Sequence, residues 1–323
     1  MCGPNQGGPT ADQPPRQAVP MTGYVVGVDV GGTSIKAALI DTAAPDMLLR
    51  RLDAPTPRDS GADGVLDVIT PMVQRLDEES PEPVSAVGLA VPGVIDEARG
   101  RTVFAAVIDW PDTPIASMLA QRVGLPIGFG HDVRTAGSAE WQLGPGRDVS
   151  ELMVVCLGTG IGAAVVSGGV LLRADGYAGQ LGHVVTDPDG PACGCGQHGC
   201  LGRLASAAAI VEAYARVPGR TVTGAREVAD LVRSGDPVAA RVWAEAVEHL
   251  VEILLLALTI LGSERIVLTG GLGGAGELLA GPVRHRLLDR LAWQRAPDVA
   301  AGRFGRDAGL VGAGLLAVAA IKP

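Results

Sequence analysis

Aromatic side chains are scarce: Phe, Trp and Tyr make up 3% of the 323 residues, so small aliphatic side chains must do most of the packing in any core. Positive charge is short as well. Lys and Arg number 26 against 35 Asp and Glu, a formal net charge of -9, which excludes a surface built to neutralise nucleic-acid phosphates or anionic lipid. No apolar run reaches the 18 or so residues that span a bilayer. The longest, AGLVGAGLLAVAAI from Ala308, is too short and is broken by Gly, so no membrane partner is expected. Cysteine is limited to five residues, three of them between Cys193 and Cys200, which suits a reducing cytoplasm and a metal site rather than a disulfide framework. The first twenty residues have neither a basic n-region nor an apolar h-region, so residues 1–22 are expected to be a disordered Pro/Gly/Gln tail and not a secretory signal.

Glycine is what the chain has in excess, 46 residues, about twice the usual share, so backbone must approach something closely in several places. The length suffices for about two domains. YVVGVDV, GGTS and SIKAALID read as strand, glycine turn, strand, and LMVVCLGTGIGAAVV repeats that grammar, which predicts two lobes built on one plan. LLRRLDA and the buried run VSAVGLAV are further strands, the latter ending at Pro92-Gly93, and LPIGFG is a short one leading to a helix that opens at His131-Asp132. Gly64–Leu76, Ile115–Val123, Leu204–Arg216 and Asp236–Leu261 have helical periodicity. So does GELLAGPVRHRLLDRLA, which follows the strand ERIVLTGG. A last helix from Ala308 is expected to pack back on the first lobe. Alternating strands and helices predict an α/β fold with ligands at the strand C-terminal ends.

Three glycine turns carry the chemistry. Asp29-Val30-Gly31-Gly32-Thr33 sets a carboxylate at a strand end, where it can face Mg2+ or its waters, and follows it with backbone N–H groups and a hydroxyl able to cradle phosphate. Alone, such a turn also closes an ordinary hairpin. Gly158-Thr159-Gly160 occupies the matching place in the second lobe, and Gly270-Gly271 leads a third turn into a helix N-terminus. Separately, His183, Cys193, Cys195 and Cys200 form H-x9-C-x-C-x4-C, one imidazole and three thiolates, the donor set of a closed tetrahedral Zn2+ site. A Cys193–Cys195 disulfide at that spacing would be strained. Cys156 in its strand is expected to be a buried small hydrophobe, His198 a solvated turn residue, and Lys36 to point outward; Cys2 has no readable role.

From Asp29 onward these motifs resemble the ROK-family sugar kinases (repressors, open reading frames and kinases) of the hexokinase, actin and Hsp70 superfamily, over essentially the whole chain after the tail. The resemblance implies a two-lobed actin-like (ribonuclease H-like) α/β fold whose lobes close on substrate. The small lobe is residues 23–128 plus 306–323, and the large lobe is 129–305 with the zinc loop 183–200. It implies that Asp29, Gly31, Gly32, Thr33, Gly158, Thr159 and Gly160 embrace ATP phosphates and Mg2+, and that Gly270-Gly271 borders adenosine. VGLPIGFGHDVRTAG is similar to the stretch that carries the family's catalytic Asp, with Asp132 at the base position; read alone, Asp132 is a common N-cap choice. By the same resemblance the loop metal is structural Zn2+, His183 also touches the acceptor, and Gly93, His131, Asp132 and Gln180 complete the acceptor site. A homodimer is expected, as the family tends to dimerise.

The chain departs from the family on the acceptor side only. His131 stands where the family has Asn, Gln180 where it has Glu, and Gly202 where it has a second Glu. Losing an ionised carboxylate removes charge-assisted hydrogen bonds of about 1.5 to 3 kcal/mol each. The expected activity is therefore ATP- and Mg2+-dependent phosphorylation of a hydroxyl, a primary one, on a hexose-like acceptor. A C7 cyclitol would suit the altered contacts by analogy. A glucokinase proper or a non-catalytic, metabolite-sensing ROK-type protein are the alternatives. A DNA-binding version is not expected, because some 23 residues precede Tyr24 where a winged helix would need about 80.

Overall fold

Runs of β-branched residues separated by glycine turns build two five-stranded sheets on one plan. The computed structural model describes residues 23–104 and 110–321; the expected tail over 1–22, Cys2 included, lies outside them. The first sheet has the order β3-β2-β1-β4-β7, formed by β1 (Tyr24–Val30), β2 (Ser34–Asp41), β3 (Leu48–Pro55), β4 (Val84–Val91) and β7 (Ile127–His131). Between β4 and β7 the hairpin β5 (Val94–Asp96) and β6 (Arg101–Phe104) stands apart. The second sheet repeats the order as β10-β9-β8-β11-β12, with β8 (Leu152–Leu157), β9 (Ile161–Ser167), β10 (Val170–Leu171), β11 (Arg265–Thr269) and β12 (Asp298–Ala301). In each sheet three antiparallel strands are followed by two parallel ones.

Helices α1 (Gly61–Glu78) and α2 (Ile115–Val123) cover one face of the first sheet over a core of Val28, Ile35, Leu66, Ile69, Leu89 and Ile115. On the second sheet, α4 (Leu201–Leu204), α5 (Ala207–Ala215), α6 (Ala225–Arg233), α7 (Pro237–Leu261), α8 (Gly270–Gly273) and α9 (Glu277–Arg290) enclose the larger core around Val155, Trp243, Leu250, Leu254 and Leu268. Helix α7 begins and ends as its sequence dictates. Asp236 Oδ1 accepts from the Val238 and Ala239 N–H groups at 3.0 and 2.8 Å, Pro237 opens the first turn, and Gly262 closes the helix at φ +62°. The helix expected over Leu204–Arg216 is instead two, because Ser206 turns extended and caps α5, its Oγ accepting from Ala209 N–H at 3.1 Å. Strands β5, β6, β10 and β12 escaped the sequence reading because runs of two to four residues carry no period.

The two remaining helices lie between the sheets. Helix α10 (Ala308–Ala320) packs on β1, β4 and β7, as expected of the final helix, and α3 (Asp132–Gln142) packs on β8, β9 and α10. Their contact explains the glycine excess. Gly27, Gly88 and Gly128 are neighbours across β1, β4 and β7, forming one row. A Cβ at Gly88 or Gly128 would run into the Ala313 or Leu316 carbonyl of α10, and at Gly27 it would lie 2.6 Å from the Leu310 carbonyl. On the far side of α10, Gly312 abuts the Thr135 carbonyl of α3, and Gly137 of α3 abuts Ala164 on β9. Among the described residues no helix is long and apolar enough to cross a membrane.

Because the obstacle at Gly88 is backbone, Gly88→Ala is expected to cost about 3 kcal/mol or to prevent folding. Gly281→Ala, whose Cβ would meet only the flexible Glu277 side chain at 3.5 Å, is expected to be neutral or stabilising by up to about 1 kcal/mol. Urea unfolding of both variants measures the contrast, and equal stabilities would refute the glycine row as a packing requirement.

Candidate active site

Strands β1, β4 and β7 are parallel, so their C-terminal ends bring Asp29, Val91 and His131 to one rim. There the first turn is held shut by its own backbone: Gly31 N–H donates to the Ser34 carbonyl at 2.9 Å, and Thr56 Oγ1 donates to the Gly31 carbonyl at 2.7 Å. Arg58, which sequence reasoning passed over, donates to the Gly32 carbonyl and so stands at the edge of this turn. Asp29 is buried beneath the turn while Thr33 is exposed on it.

Lys36 does not point outward. Its Nζ donates to Asp29 Oδ2 at 3.1 Å and to the Arg306 carbonyl at 3.4 Å. The reason is register: Val30 pairs with Ile35 across the hairpin, so Asp29 pairs with Lys36, and directly opposed residues share a face. Counting outward from the glycine turn would have found it. Burial holds the Asp29 carboxyl above the usual carboxylate range, the Lys36 ammonium pulls it back, and the nearby Asp132 charge adds to the rise.

Asp132 is the first residue of α3, one position inside the N-cap, which is His131. The Asp132 Oδ1 accepts from Val133 N–H at 2.7 Å. Burial pushes its pKa up to about 6, opposed by that N–H and by the Arg134 and Lys36 charges. Beside it, His131 is 6% exposed. Burial and the Arg134 charge drive the imidazole pKa down to about 3, against the Glu97 charge and a hydrogen bond to the Gly93 backbone, so the ring is neutral at any physiological pH. Its Nδ1 lies 3.3 Å from Asp132 Oδ1. Gly93 takes φ +106°, a conformation that favours glycine, where the chain leaves β4 beside the ring. Arg134, 2% exposed, pairs with Glu97 at 2.9 Å and donates to the Gly176 carbonyl at 3.3 Å, while Arg173 closes on the same carboxylate. The start of α3 is thereby tied to the β5–β6 hairpin.

The other two turns stand at the C-terminal ends of β8 and β11 in the second sheet. Gly158 N–H donates to the Gly160 carbonyl and Ala207 N–H to the Gly158 carbonyl, both at 2.9 Å, leaving Thr159 and Gly160 exposed. Gly270 adopts φ +85°, and a Cβ there would lie 2.6 Å from the Leu157 carbonyl, so only glycine lets the third turn close against β8; Gly271 next to it is open. A buried carboxylate missed by sequence reasoning joins this turn to α3. Glu140, two helical turns after Asp132, accepts from Thr269 Oγ1 at 2.6 Å and from the Phe304 and Arg303 N–H groups at 3.0 and 2.9 Å. Cys156 is half-buried with Sγ 3.7 Å from the Val133 carbonyl. Burial, and the Asp132, Glu140 and Asp29 charges, raise its pKa, so it packs as a neutral small side chain, as expected though less deeply.

His183, Cys193, Cys195 and Cys200 come together with all their donor atoms within 4.8 Å of one another. Cys193 Sγ is 3.7 Å from His183 Nδ1 and Cys195 Sγ is 3.6 Å from Cys200 Sγ, far beyond a disulfide bond and close to the roughly 3.7 Å ligand-to-ligand edge of a tetrahedral zinc site. The donor set therefore fits Zn2+. His183 meets the sulfurs through Nδ1, which leaves Nε2 for another partner. His198 is outside this cluster, exposed and 3.3 Å from the Gly190 carbonyl, as a solvated turn residue should be. Gly202 on α4 sits next to the His183 turn, its Cβ position 3.2 Å from the Gly182 carbonyl. Gln180 borders an apolar pocket lined by Met153, Val165, Leu172, Ala257 and Leu261, which Asp132 does not line.

A family model described as the ROK family matches residues 25–320. The glucokinase of Thermotoga maritima is 31% identical over 306 residues, covering 90% of this chain and 95% of that protein, and the N-acetylmannosamine kinase of Citrobacter koseri is 30% identical over 296 residues, covering 90% and 97%. Among solved structures, the ROK-family glucokinase from Streptomyces griseus in complex with glucose and AMPPNP superposes with a TM-score of 0.83 at 31% identity, over 92% of this chain and 100% of that one. The repeated sheets, the three glycine turns and these matches agree: the chain belongs to the ROK family, as a glucokinase-like sugar kinase of two-lobed actin-like fold.

Proposed function

We propose that this chain transfers the γ-phosphoryl group of ATP to a primary hydroxyl of a hexose-like acceptor, with Asp132 as general base. The observation that carries the reading is that a buried carboxyl, pushed up to about pKa 6, shares one rim with the Asp29–Lys36 pair. A base poised near neutrality combines enough ionisation with enough proton affinity. As the acceptor oxygen bonds to phosphorus, its proton passes to the Asp132 carboxylate, and the bond from phosphorus to the bridging oxygen breaks to release ADP. Mg2+ held with the nucleotide supplies charge neutralisation to the transferring group. Gly32 and Thr33, with Thr159 and Gly160, offer backbone N–H groups to the phosphates, the Gly31 and Gly158 N–H groups being spent on closing the turns, with Asp29 toward the cation. Lys36 adds positive charge between the two carboxylates.

The zinc loop has a supporting part in this reading: His183, Cys193, Cys195 and Cys200 would hold Zn2+, which would supply a fixed anchor for the ring and leave Nε2 for the acceptor. The acceptor itself is proposed to lack, or to reposition, groups at the end of the ring remote from the phosphorylated hydroxyl. The support is that Gly202 offers no side chain beside the His183 turn. A C7 cyclitol, which has no anomeric centre, meets that description, whereas glucose would leave hydroxyls unpaired.

Since only the Asp132 carboxylate accepts a proton, kcat should fall about tenfold per pH unit below pH 6 and level off above it. Asp132→Asn should lose about 10^2 to 10^4 in kcat and still bind ATP; turnover above a tenth of wild type at saturating acceptor would refute the base. Metal analysis should return one zinc per chain, and Cys195→Ser should lower thermal stability and raise the acceptor KM with little change in ATP affinity. Zinc-free purified protein would end that part of the proposal. Comparison of glucose, N-acetylmannosamine and a hydroxymethyl cyclitol should rank the cyclitol first in kcat/KM. A value for glucose of roughly 10^4 M^-1 s^-1 or more would return the chain to glucokinase proper.

A further inference from the structure

Among the described residues, His131 Nδ1 is a buried nitrogen without a hydrogen-bond partner, and it faces the base. We propose that His131 tunes Asp132: its bare Nδ1 lone pair, 3.3 Å from Asp132 Oδ1, disfavours the carboxylate and so raises the proton affinity of the base. The inference rests on Asp132 being the base of the reaction proposed above.

Because Nδ1 meets no hydrogen-bond partner, we assign the proton of the neutral ring to Nε2, for which the Gly93 backbone is the nearby acceptor. An unprotonated Nδ1 and a carboxylate oxygen are then two acceptors face to face, with no donor between them. Oδ1 already takes the Val133 N–H, which favours the anion. In water such a clash would be screened. Here the ring is 6% exposed, and the negative end of its dipole acts on the carboxylate at close range in a low dielectric. The repulsion is relieved when Asp132 takes up a proton, whichever oxygen receives it, so the step that removes the acceptor hydroxyl proton gains driving force.

The other charges around the pair make such a device useful. Lys36 from β2 and Arg134 from α3 both stabilise the Asp132 carboxylate and would make it a weaker base. Asp29 from β1 opposes them, Glu97 faces the imidazole rather than the carboxylate, and Cys156 from β8 is a neutral thiol. His131 offsets the cations without adding a charge that would compete for Lys36 or for bound phosphate. It is a positioning residue, acting on the acceptor through Asp132.

The test compares His131→Asn, whose amide N–H would donate to Asp132, with His131→Leu, which removes the lone pair and keeps the site dry. Two readouts are needed in the full-length protein: the acid-limb midpoint of kcat, and the carboxyl titration of Asp132 followed by carbon NMR without nucleotide, identified by its loss in Asp132→Asn. The expected order of midpoints is wild type, then Leu, then Asn, with the Asn variant about tenfold weaker in proton affinity. A midpoint unchanged in both variants with only stability lost would make His131 a plain helix cap. A midpoint raised by Leu would mean that Nδ1 carries the proton, and a higher acceptor KM at constant midpoint would make it a ligand contact; each overturns the proposal. Retained turnover in Asp132→Asn would instead refute the base, while the NMR titration would still report whether His131 acts on Asp132.

Discussion

The architecture depends on backbone lying directly against backbone where α10 passes between the first sheet and α3. Packed layers are ordinarily held apart by interleaved side chains, but Gly27, Gly88 and Gly128 remove the Cβ at one level of three adjoining strands, and Gly312 and Gly137 remove it from the helix crossings beyond. The result is a thin, stiff stack of sheet, helix, helix and sheet. A chain with few aromatics has little bulk with which to fill a wide interface, and bringing the layers together is the alternative route to native density.

That stack also sets the geometry of the site. The N-terminal turn of α10 reaches Asp29, since a Cβ at Gly309 would lie 2.5 Å from the Asp29 carboxylate, and the N-terminus of α3 carries Asp132. Two carboxylates on different elements are thus held in a fixed relation by helices that cannot slide without clashing. Glu140 extends the constraint two turns down α3, where its three accepted hydrogen bonds hold Thr269 and the backbone of Arg303 and Phe304. A carboxylate so fully paired is a joint, and it links α3 to the turn that borders Gly270.

The sequence made the repeat, the turns and the metal donors legible because each is a local pattern: a β-branched run, a glycine cluster, a ligand spacing. The role proposed for Asp132 comes from the family resemblance, since on local grounds a helix-start Asp is a cap; in the structure His131 holds the cap position and Asp132 sits one residue inside. Lys36, Glu140 and the glycine row were missed for a common reason. Their meaning lies in pairing between elements, either hairpin register for Lys36 or parallel register for Gly27, Gly88 and Gly128. Register is set by the turn and by which face is buried, so Lys36 was recoverable from the Gly31-Gly32 turn, whereas the α3–α10 crossing was not recoverable from any local window.

The electrostatics of the rim follow from its dryness. Water would screen two carboxylates, a lysine and an imidazole into near independence. Buried together, they shift one another: Asp132 rises toward neutrality, Asp29 rises and is drawn back by Lys36, and His131 is driven to the uncharged form. The same burial that raises the Asp132 carboxyl removes the imidazole as an acid, so the two adjacent residues do not compete for one proton at working pH. Of the two, the one able to take a proton near neutrality is the carboxyl, and this is the physical ground for proposing Asp132 rather than His131 as the base.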